Sequence, residues 1–232
     1  MKESYRHQPG SVVDWYDNWM PTEDVMSNVW LLADTHLNHD NIKTYCQRPE
    51  DFTQRLDRNV HATVKPGDTL IHLGDVGVGK PEGFMALVAK WPGYKVLVRG
   101  NHDSHSCQWY VDHGFHAAVD AMVYRSCWLT HHPWTDPLPK GTDLNLHGHL
   151  HNIWSGFLAH DPSQVDEFYE VYKAGKLPRE YNRLFAVEYT DYRPVEFNKF
   201  VAKPDKYQAR GPNEATKKRL TAVPQADGYS GE

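Results

Sequence analysis

The chain has 232 residues, of which 40% are apolar and 24% charged, and a net charge of -5. These values fit a soluble globular protein with one large domain, long enough to bury roughly 70% of the surface it exposes when unfolded. The acidic balance argues against broad attraction to nucleic acid or membrane surfaces. No apolar run approaches the ~20 residues of a membrane span, and the first residues, among them Lys2, Glu3 and Arg6, lack the apolar core of a signal peptide. Three irregularly spaced cysteines, Cys46, Cys107 and Cys127, predict no disulfide framework and a reducing, cytoplasmic setting. Fifteen histidines make histidine placement the feature to follow.

Residues 1–27, with Trp15, Tyr16 and Trp19 close together, read as an N-terminal extension packed on the domain. A first strand is expected over Val29–Ala33, then helices over Asn41–Gln47 and Phe52–Val64. Pro66-Gly67 makes a turn before a strand at Thr69–Leu73. A helix over Pro81–Lys90 carries proline in its first turn, and Trp91-Pro92-Gly93 ends it before a strand at Tyr94–Val98. A helix over Ser104–His113 stops at Gly114, and strands follow at Ala121–Arg125, Trp128–Thr130 and Leu144–His147. Asp161-Pro162 starts a further helix, about Pro162 to Ala174, with Val165, Phe168, Tyr169 and Tyr172 on one face. A closing strand at Leu184–Tyr189 and a short helix at Val195–Val201 precede a polar tail, 204–232, expected to be mobile. Strand–helix alternation early and mostly strands later point to α/β layering with a partly mixed sheet arrangement.

Five short motifs fall at the ends of predicted strands: Asp34-Thr35-His36, Gly74-Asp75, Gly100-Asn101-His102-Asp103, His131 within Thr130-His131-His132-Pro133, and Gly148-His149-Leu150-His151. On extended backbone, residues two apart share a side, so Asp34 with His36, and His149 with His151, can grip one ion together. The glycines before Asp75, Asn101 and His149 suit tight turns and close backbone approach. In open α/β sheets ligands gather beyond the carboxyl ends of strands, so the chain delivers Asp, His and Asn side chains to one rim.

Taken in order, the five motifs resemble the signature of the calcineurin-like metallophosphoesterases. The resemblance runs from about Val29 to His151 and extends to Leu184–Tyr189 and Tyr192-Arg193-Pro194-Val195. Within that superfamily the chain looks most like the compact bacterial and phage-encoded enzymes, which share the Asp-Thr-His-x-x-His-x-Asn-Ile opening found from Asp34 to Ile42 and the Lys65-Pro66-Gly67-Asp68 segment. The resemblance implies two packed mixed β-sheets flanked by helices over residues 28–203. It implies a metal held by Asp34, His36, Asp75 and His151, and a second held by Asp75, Asn101, His131 and His149, with Asp75 bridging. Two divalent transition ions, drawn from manganese, iron, zinc, nickel or cobalt, suit such ligands. A hydroxide bridging ions ~3.5–4 Å apart would then attack phosphorus, with His102 at the leaving oxygen and Asp103 as its orienting partner.

Other residues carry weaker signals. His131 is favoured over His132 as the ligand, because the family pattern follows its ligand with an aromatic residue and proline. His147 reads as core or as a support for the ligands, and His72 as facing the sheet interior. His39 is either a phosphate contact, a helix cap or a solvated side chain, and Arg48, before Pro49, could bind an anion but reads first as a surface arginine. Trp134 and Trp154, just after the fourth and fifth motifs, could stack on a nucleobase or simply pack. Residues 152–183 read as a lid beside the metals, with a homodimer contact as the alternative use of its apolar face.

The Gly74-Asp75-Val76-Gly77-Val78-Gly79 segment and the closing Asp103 depart from the Ser/Thr protein phosphatase pattern. The expected activity is therefore hydrolysis of a small, nucleotide-like phosphate ester or diester. A nuclease is the alternative enzyme, disfavoured by the acidic charge. A non-catalytic scaffold would have lost ligands that are all present here.

Overall fold

The computed structural model describes residues 28–152 and 181–202. Residues 1–27, the segment 153–180 with Trp154 and the Pro162–Ala174 helix, and the tail from 203 onward lie outside those residues.

The described residues form two mixed sheets flanked by helices. The first sheet is built from β1 (Val29–Leu32), β2 (Thr69–His72), β3 (Tyr94–Val98), β4 (Ala117–Val119) and β9 (Val195–Glu196), in the order β4-β3-β2-β1-β9. Its first four strands run parallel, and β9 closes the edge antiparallel to β1. The second sheet holds β5 (Met122–Tyr124), β6 (Cys127–Leu129), β7 (Leu144–His147) and β8 (Asn182–Leu184) in sequence order. Here β5 and β6 form a hairpin, and β6, β7 and β8 run parallel. Arg125 and Ser126 turn that hairpin with φ of 45° and 60°, the positive-φ pair that a two-residue connection with the right twist requires.

Burial explains the strand sequences. Parallel strands covered on both faces read as continuous apolar runs rather than alternating ones, and every residue of β2 and all but the first of β3 are buried. The helices are α1 (Ile42–Tyr45), α2 (Phe52–Thr63), α3 (Pro81–Val88), α4 (Cys107–Asp112) and α5 (Phe197–Ala202). In α2 Phe52, Leu56, Asn59 and Val60 are buried at helical spacing. Pro81 opens α3, and the Ser106 hydroxyl caps α4 by accepting the Trp109 N–H at 3.2 Å. One continuous apolar cluster draws on both sheets, from Leu31, Ile71 and Leu97 to Leu129 and Leu146.

Three elements differ from the sequence expectation. β4 was not foreseen, because a three-residue stretch with two alanines, which strands disfavour, gives a single valine as its signal. The expected strand Leu184–Tyr189 is instead β8 followed by a 3₁₀ turn at Val187–Tyr189. The expected helix Val195–Val201 yields its first two residues to β9, since Val195 and Glu196 pair with β1. The parallel strands β1, β2, β3, β6 and β7 each end at one of the five motifs, so both sheets point their carboxyl ends at one place.

Candidate metal centre

The strands stop just short of the functional side chains, which sit in tight turns. Asp34, His36, Asp75, His149 and His151 have φ of 51°, 44°, 58°, 72° and 47°. The expectation that Asp34 and His36, or His149 and His151, share a side on extended backbone is thus corrected. Left-handed residues bring them together, a conformation costly for non-glycine side chains and concentrated at functional sites. Main-chain bonds hold the turns: Asp34 N–H donates to Gly74 O at 2.9 Å and His36 N–H to Asp75 O at 3.0 Å. Glycine is needed at two crossings. A Cβ on Gly148 would stand 2.4 Å from Asp34 Oδ2, and one on Gly74, whose φ is +94°, would lie 2.7 Å from the Gly100 nitrogen.

Asp75 lies at the centre. Its Oδ2 is 3.4 Å from His36 Nε2 and 3.2 Å from His131 Nε2, while Oδ1 accepts the His102 N–H at 2.9 Å. On one side Asp34, His36 and His151 bring donor atoms within 4.8 Å of one another. On the other, His131 Nε2 faces Asn101 Oδ1 at 3.0 Å and His149 Nδ1 at 3.2 Å. His131 Nδ1 lies 2.8 Å from the Leu73 carbonyl, which can only accept, so Nδ1 carries a hydrogen and Nε2 is the nitrogen turned inward toward Asp75. His132 is half-buried against His149, with ring centroids 4.3 Å apart. Its donor atom also lies within 4.8 Å of those of His131 and His149, so the cluster includes both members of the His131–His132 pair.

The donors fit divalent ions. His36 Nε2 is buried and makes no hydrogen bond among the described residues. Burial pushes the Asp34 carboxyl up to about 6 against the pull of His151 and His131, as expected for a buried charge in need of a cation. Burial opposes ionisation of Asp75 too, but His131 and His36 hold it well below the usual carboxylate range. His131 itself, despite burial, is raised to about 9 by Asp75. Burial drives His36 well below its ordinary value. Buried nitrogen and oxygen donors with conflicting protonation preferences suit borderline and hard transition ions.

The sequence model of calcineurin-like phosphoesterases matches residues 27–203. The chain belongs to that family. Metal-dependent hydrolysis of phosphoesters is accordingly its general chemistry. It is similar to an uncharacterized protein of Methanocaldococcus jannaschii, 27% identical over 182 residues, covering 76% of this chain and 90% of the relative. Among solved structures, a protein of unknown function from Aquifex aeolicus, AQ665, shares the fold with a TM-score of 0.56 and 23% identity, over 75% of this chain and 98% of that one. Pseudomonas putida nuclease MPE matches partially, with a TM-score of 0.35 and 26% identity, over 53% of this chain and 61% of the nuclease.

Around the candidate metal ligands of this phosphoesterase the remaining side chains divide clearly. His102 is exposed, its ring centroid 5.2 Å from that of His36. Asp103 is buried, and its carboxylate does not orient His102 as expected. Its Oδ2 accepts the Asp75 and Gly100 N–H groups at 2.8 and 2.7 Å, and its Oδ1 accepts that of Val76 at 3.1 Å. Asp103 therefore ties the Asp75 turn to the Gly100 turn. His39 is half-buried with its Nδ1 3.4 Å from His36 Nδ1, at the mouth between His36, His102 and Tyr45. Burial first, then His102, lowers its pKa. Trp134 packs edge-on against Trp128 and donates its indole N–H to Pro137 O at 3.1 Å.

His147 is buried with Nδ1 2.9 Å from the Gly148 carbonyl, and burial pushes it down to about 3. Arg48, read as a surface residue, is buried. Its guanidinium reaches the carbonyls of Asp34 and Thr35 and the carboxylate of Glu188. Sequence reasoning missed Glu188 altogether, because an isolated Glu inside an expected strand carries no signal.

Proposed function

We propose that this phosphoesterase uses two divalent ions to hydrolyse a small, nucleotide-like phosphate ester or diester in the cytoplasm. The observation that carries the two-ion reading is the Asp75 carboxylate, with one oxygen facing both His36 and His131 from opposite clusters. Asp34, His36 and His151 would hold one ion, Asn101, His131 and His149 the other, and Asp75 both. Bound there, such a pair supplies positive charge against phosphoryl oxygens and makes water a nucleophile at neutral pH.

The chain's own residues do the rest. The three amide bonds to Asp103 fix the turn that presents Asp75. His102, exposed beside the centre, would protonate the leaving oxygen; its main-chain N–H donates to Asp75, and its ring, near His36 and Asp75, has metal binding as the alternative role. His39 at the mouth would orient the phosphate. The acidic net charge of -5 and the free cysteines Cys46, Cys107 and Cys127 support a small substrate and a reducing compartment. Among the described residues no helix is long and apolar enough to cross a membrane.

The deciding experiment combines metal analysis of chelator-free protein with a substrate screen. Cyclic nucleotides, mononucleotides, dinucleotides and model diesters would be tested with manganese, iron, zinc, nickel and cobalt. Two ions per chain and a preference for a nucleotide ester are expected. A fully active chain holding one ion would defeat the two-ion reading.

A further inference from the structure

Behind the His151 side of the centre lies a charged cluster assembled from distant parts of the chain. Arg48 leaves the loop between α1 and α2, and Glu188 comes from the 3₁₀ turn after β8, 140 residues further on. Their side chains are 0% and 5% exposed. Arg48 Nε and Nη2 donate to Glu188 Oε1 at 2.9 and 2.7 Å. The same guanidinium donates through Nη1 to Thr35 O at 2.8 Å and through Nη2 to Asp34 O at 2.6 Å. Glu188 Oε1 lies 3.3 Å from His151 Nδ1. Arg48 Nη2 also lies 3.4 Å from that Nδ1, but its two hydrogens go to Asp34 O and Glu188 Oε1. A carboxylate oxygen can only accept, so Nδ1 carries a hydrogen, and Nε2, 3.8 Å from Asp34 Oδ1, is the nitrogen on the side of the centre.

We infer that Arg48 and Glu188 are positioning residues for one of the two ions: Glu188 sets the ring orientation and tautomer of His151, and Arg48 sets the turn that carries Asp34. The inference rests on reading Asp34 and His151 as ligands of that ion. Three physical arguments support it. A buried arginine–carboxylate pair contributes little net stability, because desolvating both charges offsets their attraction; what this pair supplies is geometry. The planar fork of arginine can hold a carboxylate and two carbonyls at once, which the point charge of lysine cannot. A metal-bound imidazole whose other nitrogen donates to a carboxylate is both oriented and made more basic, and loss of such a partner typically lowers metal affinity about 10–100-fold. The two carbonyls held by Arg48 belong to Asp34 and Thr35, within the strained turn whose φ at Asp34 is 51°. That turn has reason to relax without them.

The test is calorimetric titration of the metal-free full chain with manganese. Asp34→Asn identifies which of the two binding steps belongs to the Asp34 ion. Glu188→Gln keeps the shape and removes the charge, and Arg48→Lys keeps the charge and removes the fork. Both variants should weaken that step about 10–100-fold and leave the other step close to that of the parent. Glu188→Gln, which leaves a buried guanidinium without its carboxylate, should also lower the unfolding temperature of the metal-free protein, so the difference between the two steps is the deciding readout. Wild-type affinity at both steps in both variants would overturn the inference. So would equal weakening of both steps, which would make the pair a general scaffold. A parent chain that takes up no manganese at all, with any of the other metals failing as well, would instead remove the ligand reading and this inference with it.

Discussion

The two halves of the centre are built differently. Asp34, His36 and His151 are 0%, 2% and 8% exposed, and the buried Arg48–Glu188 pair stands behind them. Across Asp75, Asn101 is exposed and His149 and His132 are only half-buried. The supports differ in kind as well. His151 is backed by a carboxylate, whereas His131 is backed by the neutral Leu73 carbonyl. One half is thus fixed by charge in a dry setting, where electrostatic contacts count most. The other opens on solvent at Asn101, His132 and His149, where His131 alone is buried, while His39 and His102 stand at the exposed edge of the first half, beside His36. In the proposed function the dry half would hold its ion firmly, and substrate would arrive over the edge where His39 and His102 stand.

The largest effect should come from the residue both halves share. Asp75→Asn removes the charge facing His36 and His131, so neither cluster keeps its anion. Metal content should fall well below two ions per chain, and turnover should drop to background. Retained metal with undiminished turnover would show that the halves do not depend on a common carboxylate.

A smaller loss should follow at the exposed edge beside His36. His102→Ala should lower the rate on an alkyl phosphate ester by about 10²–10⁴, the worth of a general acid, and leave metal content intact. On a nitrophenyl ester, whose leaving group needs no proton, the loss should be much smaller. Equal losses on the two esters, or loss of an ion, would move His102 from proton transfer to metal binding, where its nearness to His36 and Asp75 would then place it.

The same comparison marks what the sequence could reveal. The candidate ligands announce themselves, because Asp34, His36, Asp75, Asn101, His131, His149 and His151 stand in short motifs at the ends of strands that the sequence marks. Their supports do not. Arg48 looks like any loop arginine, since two of its partners are main-chain carbonyls and the third lies 140 residues away. Glu188 was hidden inside an expected strand, and only the 3₁₀ turn at Val187–Tyr189 brings it to His151. Asp103 was visible in its motif, but its work on three amides depends on how two loops cross. Periodicity also suggested extended backbone for Asp34 and His36, whereas the grip comes from positive φ, which apolar patterning does not encode.

Asp103 offers the next sharpening of the comparison, in stability rather than rate. Asp103→Asn keeps one acceptor oxygen and turns an amide N–H₂ toward a main-chain N–H. At least one buried donor then loses its partner, at a cost of about 1–3 kcal/mol. Urea unfolding of the chelator-treated protein at neutral pH should show it as a lower midpoint. An unchanged midpoint would mean the Asp75 and Gly100 turns hold each other without Asp103.

The last effect concerns the floor of the dry half, leaves the chemistry untouched and is read as a pH dependence of stability. His72 is fully buried beneath the Asp34–His36 turn. The Thr35 hydroxyl donates to Val76 O at 2.7 Å, so it accepts from His72 Nε2–H at 3.0 Å, while His72 Nδ1 accepts the Gly74 N–H at 3.2 Å. Both ring nitrogens are committed to the neutral form, and burial pushes the imidazole from 6.5 down to about 3. Between those values the unfolded chain binds a proton that the folded chain refuses. Stability attributable to His72 is therefore intact above 6.5 and falls as pH drops toward 3, by about 1.4 kcal/mol per pH unit. The raised carboxyls of Asp34 and Asp103 act with the opposite sign, since the folded chain protonates them first, but they are common to parent and variant and cancel in a comparison. In His72→Gln the amide can still donate to Thr35 and cannot titrate. The variant will be less stable than the parent near neutrality, where packing around the imidazole is lost. Its deficit should then shrink by about 1.4 kcal/mol for each pH unit from 6 to 4, measured by denaturant unfolding of metal-free protein. Parallel stability curves would mean that His72 takes up its proton within the native state, and that the floor of the dry half yields where the geometry says it is rigid.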